Sequence, residues 1–298
     1  MSIVDVADPH APRVLSTLDD GLVEAETVLP LGPICLLGTH ELVSLNIRDP
    51  RRPEVVARIA DPRLHAINGM AVWRHYVFAA NKGGHLAVFD VRDPARPVLH
   101  DALDAHARAG QQRPHDVAVF GNRIVVVDGV GTLSNHVSVY RVADERSEAP
   151  LPAREWRLEG QLSAPNLIGC NRVEVAGDYA FVGCNRPHTL AVVDLRDPQR
   201  LVQVVNFPAA DGHPDGLAVA GSVLFVGAGQ TVEAIDIGDP RRPVSLAWWR
   251  PVEVFSKGRD NAHDLVYRDG YVYVTAQNDN TFGILKVTNP AVLRLAES

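Results

Sequence analysis

The feature that most constrains this chain is a repeated phrase. At residues 193–198 it reads VDLRDP, an alternating apolar run that ends in an Asp-Pro turn. Copies occur as IVDVADP ending at Pro9, LNIRDP at Pro50, FDVRDP at Pro94 and IDIGDP at Pro240. LKVTNP at Pro290 is a weaker copy, and YRVADE, with Glu145 in place of the proline, is a degraded one. The turn residue falls at positions 8, 49, 93, 144, 197, 239 and 289, so the spacing runs from 41 to 53 residues. Self-similarity at such a period means a solenoid or a propeller.

The interior of each unit repeats as well. In one unit DVAVF, starting at Asp116, runs into Gly121-Asn122 and then into a second apolar run at residues 124–127. Gly-Asn between two alternating runs is a hairpin signal. A third run covers residues 136–142, and a fourth follows the Asp-Pro turn. Four short antiparallel strands in roughly 42 residues match a propeller blade. β-Branched and aromatic residues dominate these runs, and no long stretch has helical periodicity. The expected fold is therefore all-β, a single β-propeller over residues 1–298 built from four-stranded antiparallel blades.

The strand arithmetic favours six blades. First-and-second strand pairs begin near Leu22, Asn68, His115, Asn171, Asp215 and His263. Third-and-fourth pairs number seven, because residues 2–18 supply an extra one. The simplest solution places six blades in residues 19–298. Residues 1–18 then form an N-terminal hairpin that adds to the last blade and closes the ring. Seven blades are the alternative, but one would lack its inner pair and leave backbone unpaired beside the channel.

LAVVDLRDP ending at Pro198, and HDVAV at residues 115–119 followed by Gly121-Asn122, resemble the LVIVD-repeat β-propeller proteins. The resemblance covers nearly the whole chain and implies the propeller fold. It implies no activity, because that family is defined by its repeat, and a fold alone does not carry a function. Residues 22–59 and the region around Asp144 depart from the pattern, which leaves their strand edges open.

Composition narrows the function. Of 298 residues, 46% are apolar and 22% charged, enough for a substantial core. A net charge of −7 provides no basic footprint and argues against nucleic acid as a partner. No run approaches the ~20 apolar residues of a membrane-spanning helix. No charged-then-apolar leader opens the sequence, so a cytoplasmic location is expected. Cys35, Cys170 and Cys184 are too few for a disulfide framework or a zinc ribbon. Cys170 and Cys184 read as buried small residues ahead of nucleophiles or ligands.

Strand direction assigns loops to faces. The loop before a first strand and the loop between second and third strands share one face. The Gly-Asn hairpins and Asp-Pro turns share the other. Of twelve histidines, nine fall on the first face: His40, His65, His85, His106, His115, His136, His188, His213 and His263. Only His10 and His75 fall clearly on the second. Loops on a rigid scaffold are where function concentrates. Aligned on their hairpins, Asn68, His115, Asn171, Asp215 and His263 occupy equivalent positions at the start of the inner strands. Blade 1 offers Glu26 or Glu24, and His65 and His213 lie two or three residues upstream of that register.

Two chemistries suit such a funnel. His65, His115, His213 and His263 could ligate a divalent Zn, Cu, Fe or Ni ion, which would polarise a substrate oxygen or acidify a water. Without metal, His115, His213 and His263 could serve as acid and base, with Asp215 as carboxylate partner. Arg113 and Arg172 would hold an anionic group through a bidentate fork, with Asn68, Asn171 and Glu26 as further substrate contacts. Arg186 and Arg259 lie near the same face. No nucleotide cofactor is expected, because the Gly-rich residues 128–135 precede no helix. The plainer reading is structural: an imidazole opening an inner strand can bond to backbone or to the neighbouring blade. The expected function is a small-molecule enzyme acting on a polar, anionic metabolite, as lyase, isomerase, hydrolase or oxidase. The alternative is a non-catalytic binding module or interaction scaffold. The Asp-Pro turns themselves read as structural punctuation on the far face.

Overall fold

Six four-stranded antiparallel sheets follow one another along the chain, each with its strands in sequence order. The structure is a computed structural model. It describes all residues except 20, 23, 24, 130–134, 187, 210, 251–261, 278, 290, 291 and 296–298, and the backbone alone at 289 and 292–295. Blade 1 comprises Thr27–Leu31, Ile34–Gly38, Leu42–Asn46 and Glu54–Ile59. Blade 2 comprises Ile67–Trp73, Tyr76–Asn81, His85–Asp90 and Val98–Asp104. Blade 3 is Pro114–Phe120, Arg123–Asp128, His136–Arg141 and Arg157–Ser163, and blade 4 is Ile168–Ala176, Tyr179–Arg186, Thr189–Asp194 and Val202–Pro208. Blade 5 is Pro214–Ala220, Val223–Ala228, Thr231–Asp236 and Val244–Trp249, and blade 6 is Ala262–Arg268, Tyr271–Ala276, Thr281–Asn289 and Val292–Leu295. This is an all-β six-bladed propeller, with helix confined among the described residues to Ala105–Ala109 and two single turns.

The N-terminal copy of the repeat forms a hairpin, Ser2–Asp5 with Arg13–Thr17, in a two-stranded sheet of its own. Among the described residues it adds no strand to blade 6, which is completed by its own Val292–Leu295. The expected closing strand is thus not seen. Instead the hairpin leans on blade 1: Ser16 Oγ donates to Pro50 O at 2.7 Å, and Met1 and Leu18 pack on buried Cys35, Leu37, Val43 and Leu45. That contact explains the odd strand count without a seventh blade.

The chain divides into two compact units: residues 1–134 with 138–159, and residues 135–137 with 160–298. In each, middle strands are largely buried: Ile34–Gly38 and Tyr76–Asn81 throughout, and Val223–Ala228 at every residue but the first. Both their faces meet protein, so their sequences are continuous apolar runs and not the alternation of a half-exposed strand. The outer strands do alternate, as in Glu54–Ile59. Neighbouring blades share cores. In the first unit Phe78, Val88, Val126, Tyr140 and Trp156 pack together. In the second, Phe181, Val192, Leu217, Val226 and Ile235 do so.

The repeated phrase is a double side-chain turn. In VDLRDP, Asp194 Oδ1 accepts from Arg196 N at 3.1 Å, and Asp197 Oδ1 accepts from Gln199 N at 3.1 Å. Blade 2 repeats this with Asp90 and Asp93, and blade 5 with Asp236 and Asp239. Each Asp satisfies a backbone N–H that the strand ladder has released, the mechanism by which Asp favours turns. These aspartates carry the turn, the structural role expected from the sequence.

The Arg196 guanidinium, aided by its backbone N–H and against the effect of burial, brings Asp194 down to about 2. Arg63 does the same for Asp61, also to about 2, through its guanidinium first and its N–H second. A depressed folded value means stability that is present above the unfolded value of about 3.9 and lost as pH falls toward the folded one. Urea unfolding between pH 5 and 2.5 should therefore show stability falling below about pH 4. Asp194→Asn should remove part of that slope and cost about 1 kcal/mol at pH 7. An unchanged slope in the variant would assign the acid loss to other groups.

Candidate functional site

The five inner-strand residues placed in register by the sequence share an unusual backbone. Each is the extra residue of a β-bulge. In blade 2 Ile67 faces Asn81 and Gly69 faces Ala80, so Asn68 has no opposite number. The same shift isolates His115 between Pro114 and Asp116, and Asn171 between Cys170 and Arg172. It isolates Asp215 between Pro214 and Gly216, and His263 between Ala262 and Asp264. A bulge re-aims a side chain out of the pleat, and bulges are common beside active sites. Blade 1 pairs without any shift, so Glu26, just ahead of its inner strand, is not equivalent.

The bulges bring together a buried cluster in the second unit. Asp215 is 6% exposed. Its Oδ2 meets His213 Nε2 at 2.7 Å, and its Oδ1 accepts from Asn171 Nδ2 at 2.7 Å. Burial raises the Asp215 carboxyl, but the His213 bond and charge, the Asn171 bond and the charge of His263 outweigh it and leave it below the ordinary value. An ionised carboxylate inside protein persists only when paired and hydrogen-bonded, and this one is both. Arg172 follows Asn171 in the strand and, at 9% exposure, is the one buried Lys or Arg among the described residues. His188 adds an exposed ring whose centroid is 6.0 Å from that of His213.

Close blade approach sets this geometry. A Cβ on Gly183, in the second strand of blade 4, would sit 2.5 Å from Pro214 O, one residue before Asp215. In the first unit a Cβ on Gly69 would sit 2.1 Å from Asp116 Oδ1, beside His115. Only glycine admits backbone at that distance.

The first unit pairs its bulge residues differently. Asn68 Nδ2 and His115 Nε2 are 3.0 Å apart. That bond joins neighbouring blades, the structural role the sequence left open for His115. Asn68 is buried, and its Oδ1 has no hydrogen-bond partner among the described residues. Arg113 is half-buried ahead of His115, and its carbonyl accepts from Gly129 N at 3.0 Å. Glu26 is held in an ion pair, Oε1 to Lys82 Nζ at 2.8 Å, a partner the sequence did not single out. His65 is exposed, and its ring lies tilted against that of His40 with centroids 4.9 Å apart.

Of the four candidate metal ligands, His65 lies against His40 and His115 meets Asn68, while His213 and His263 both act on Asp215, the first through a hydrogen bond and the second by charge. Among the described residues no group of three or more His, Cys, Asp or Glu is placed to hold a metal ion. Arg259 and most of the Gly-rich loop at 128–135 lie outside the described residues. Two open surface clefts of about 530 Å³ each have no residue of the cluster in their walls, one being walled by Asp101, Asp104 and Arg108, the other by Asn166, Arg186 and Asn206.

Cys170 and Cys184 require a correction. They are joined as a disulfide across the first and second strands of blade 4. Their sequence positions do contain a signal: they flank the Gly177-Asp178 hairpin almost symmetrically. The one-residue offset introduced by the bulge conceals it.

Comparison with known proteins agrees with the fold. LVIVD repeats match at residues 68–104, 170–207 and 260–298. No curated protein matches the chain. Among solved structures, a protein from Lactobacillus plantarum superposes with a TM-score of 0.77 at 16% identity, over 99% of this chain and 89% of that one. A chain of the mitotic checkpoint complex gives 0.68 at 12% identity, covering 95% and 80%. A periplasmic gluconolactonase from Pseudomonas aeruginosa gives 0.65 at 16% identity, covering 90% and 82%. Enzymes and non-enzymes both stand among these likenesses, which show the propeller fold alone.

Proposed function

We propose that the second unit carries a small-molecule site in which His213, oriented by Asp215, is the acid–base group and Arg172 holds an anionic portion of the substrate. One observation carries the reading: the buried Asp215 carboxylate that bridges His213 and Asn171 at 2.7 Å each. A carboxylate on one ring nitrogen fixes the tautomer and stabilises the imidazolium formed when the other nitrogen takes a proton. With Nε2–H donating to Asp215 Oδ2, Nδ1 is the atom that accepts a proton from a substrate hydroxyl or a water and later returns it. Arg172, buried and next in the strand after Asn171, is the guanidinium assigned to a carboxylate-bearing substrate. No metal takes part in this sequence of steps.

The gluconolactonase likeness adds one suggestion. A propeller of this kind can host hydrolysis of a small cyclic ester, which puts hydroxy acids and their lactones first among compounds to try. The second reading, a binding module without turnover, is favoured by the Asn68–His115 bond, which uses a ring-position histidine to join two blades.

A panel of small carboxylates, hydroxy acids and lactones, assayed for thermal stabilisation and for turnover, tests the proposal. His213→Ala should abolish turnover while binding changes only a few-fold. Arg172→Gln should weaken binding of an anionic hit by about tenfold or more. Turnover indifferent to His213→Ala would refute the acid–base assignment. Binding by the wild type with no turnover of any compound would favour the binding module.

A further inference from the structure

We infer that the Cys170–Cys184 disulfide is a covalent clamp on this site, so that the site is fully assembled only in the oxidised protein. The inference rests on the acid–base reading of His213 and Asp215 and adds redox control to it. Strand register is the key observation. On the turn side of blade 4, Ala176 faces Tyr179, Val175 faces Ala180 and Arg172 faces Gly183. An unbroken ladder would continue with Asn171 opposite Cys184 and Cys170 opposite Asn185. The bulge shifts the strand by one residue and sets Cys170 opposite Cys184 instead. The disulfide is therefore compatible only with the bulged register, and once formed it prevents the inner strand from slipping back.

The bulge residue is Asn171, whose side chain donates to Asp215. If the strand returned to the unbroken register, Asn171 would rejoin the pleat opposite Cys184, and every residue before it would switch faces. Asp215 would lose a hydrogen bond that holds its charge and its orientation toward His213. Two of the other bulges carry a different constraint, whereas blades 2 and 6 have Ile67 and Ala262 at this position. In blades 3 and 5 the position of Cys170 is taken by Pro114 and Pro214, whose rings restrict the backbone at the shift. Blade 4 has no proline there and has the cystine.

Opening the clamp is a two-electron step. A dithiol reductant delivers two electrons and two protons, the S–S bond becomes two thiols, and the reductant closes to its own disulfide. Both cysteines are fully buried, so exchange requires local opening of the inner strand.

The test uses the full-length protein. Alkylation under denaturing conditions without reductant should find one free thiol, that of Cys35, and after dithiothreitol three. The ring titration of His213, followed by NMR, should then move between the oxidised and reduced proteins. Its neighbours in the cluster are Asp215, Asn171, His188 and the charge of His263, none of which reacts with dithiothreitol. A Cys170→Ala/Cys184→Ala variant should titrate like the reduced protein with or without dithiothreitol, and Cys35→Ala should behave as wild type. Three free thiols in unreduced protein would overturn the inference. So would an identical His213 titration in oxidised and reduced wild type, a comparison that stands even if the double variant does not fold. The two proposals fail separately: a redox-sensitive His213 in a protein that turns nothing over keeps the clamp and refutes the acid–base function, and turnover that needs His213 but ignores reduction does the reverse.

Discussion

Asp215→Asn is expected to keep the fold and to cut turnover about 10²–10⁴-fold, the range for loss of an orienting or general acid–base group. The carboxylate accepts from two donors at once, His213 Nε2–H and Asn171 Nδ2–H. An amide has one oxygen and one NH₂, so it can accept from only one of them and must turn a donor toward the other. The imidazole then loses its fixed tautomer and the negative charge that stabilises its protonated form. Volume and shape are conserved, so stability should fall by only about 1–2 kcal/mol. Asp215→Ala goes further, because it strands two buried donors, and should cost about 2–4 kcal/mol as well as the activity. Circular dichroism and urea unfolding separate the two effects. Turnover within about threefold of wild type in a folded Asp215→Asn protein would remove Asp215 from the mechanism.

The largest stability effect is expected in the first unit, at Trp156. This side chain comes from the segment that lengthens blade 3, yet it is fully buried. Its ring meets Phe78 edge-to-face with centroids 5.6 Å apart, and its Nε1–H donates to Leu151 O at 2.8 Å. Its carbonyl accepts from Arg108 Nη1 at 2.9 Å, which ties the short helix Ala105–Ala109 to the same core. Trp156→Ala should cost about 3–5 kcal/mol through lost burial and the cavity left behind. Trp156→Phe, which keeps the aromatic packing and loses the indole hydrogen bond, should cost roughly 1–2 kcal/mol. A loss below about 1 kcal/mol for the alanine variant, read from urea unfolding, would mean that the outer segment of blade 3 is not part of the first unit's core.

Much of this was legible in the residues, for a specific reason. A propeller repeats one local pattern, and local patterns are what a sequence displays. The Asp-Pro phrases count the blades because Asp194 and Asp197, and their counterparts, serve the turn directly beneath them. Counting back from each hairpin also placed Asn68, His115, Asn171, Asp215 and His263 in register, because two-residue turns fix strand pairing. What the count could not reveal was the bulge at each of those positions, which depends on backbone pairing across two strands. The partners were hidden for the same reason. Lys82 meets Glu26, 56 residues earlier, and Asn68 meets His115, 47 residues later, only because adjacent blades touch. The N-terminal repeat was visible as an extra copy, but its attachment through Ser16 and Pro50 belongs to tertiary packing. The number of cysteines says nothing of the Cys170–Cys184 pair, whereas the register of a single hairpin decides it.

The most direct measurement is the NMR titration of the His213 ring in wild type and in Asp215→Asn. A buried carboxylate 2.7 Å from Nε2 favours the protonated ring. Its replacement by a neutral amide should lower the titration midpoint. A midpoint that does not move would show that Asp215 and His213 are not coupled in solution, and the acid–base pair at the centre of the proposed function would be contradicted.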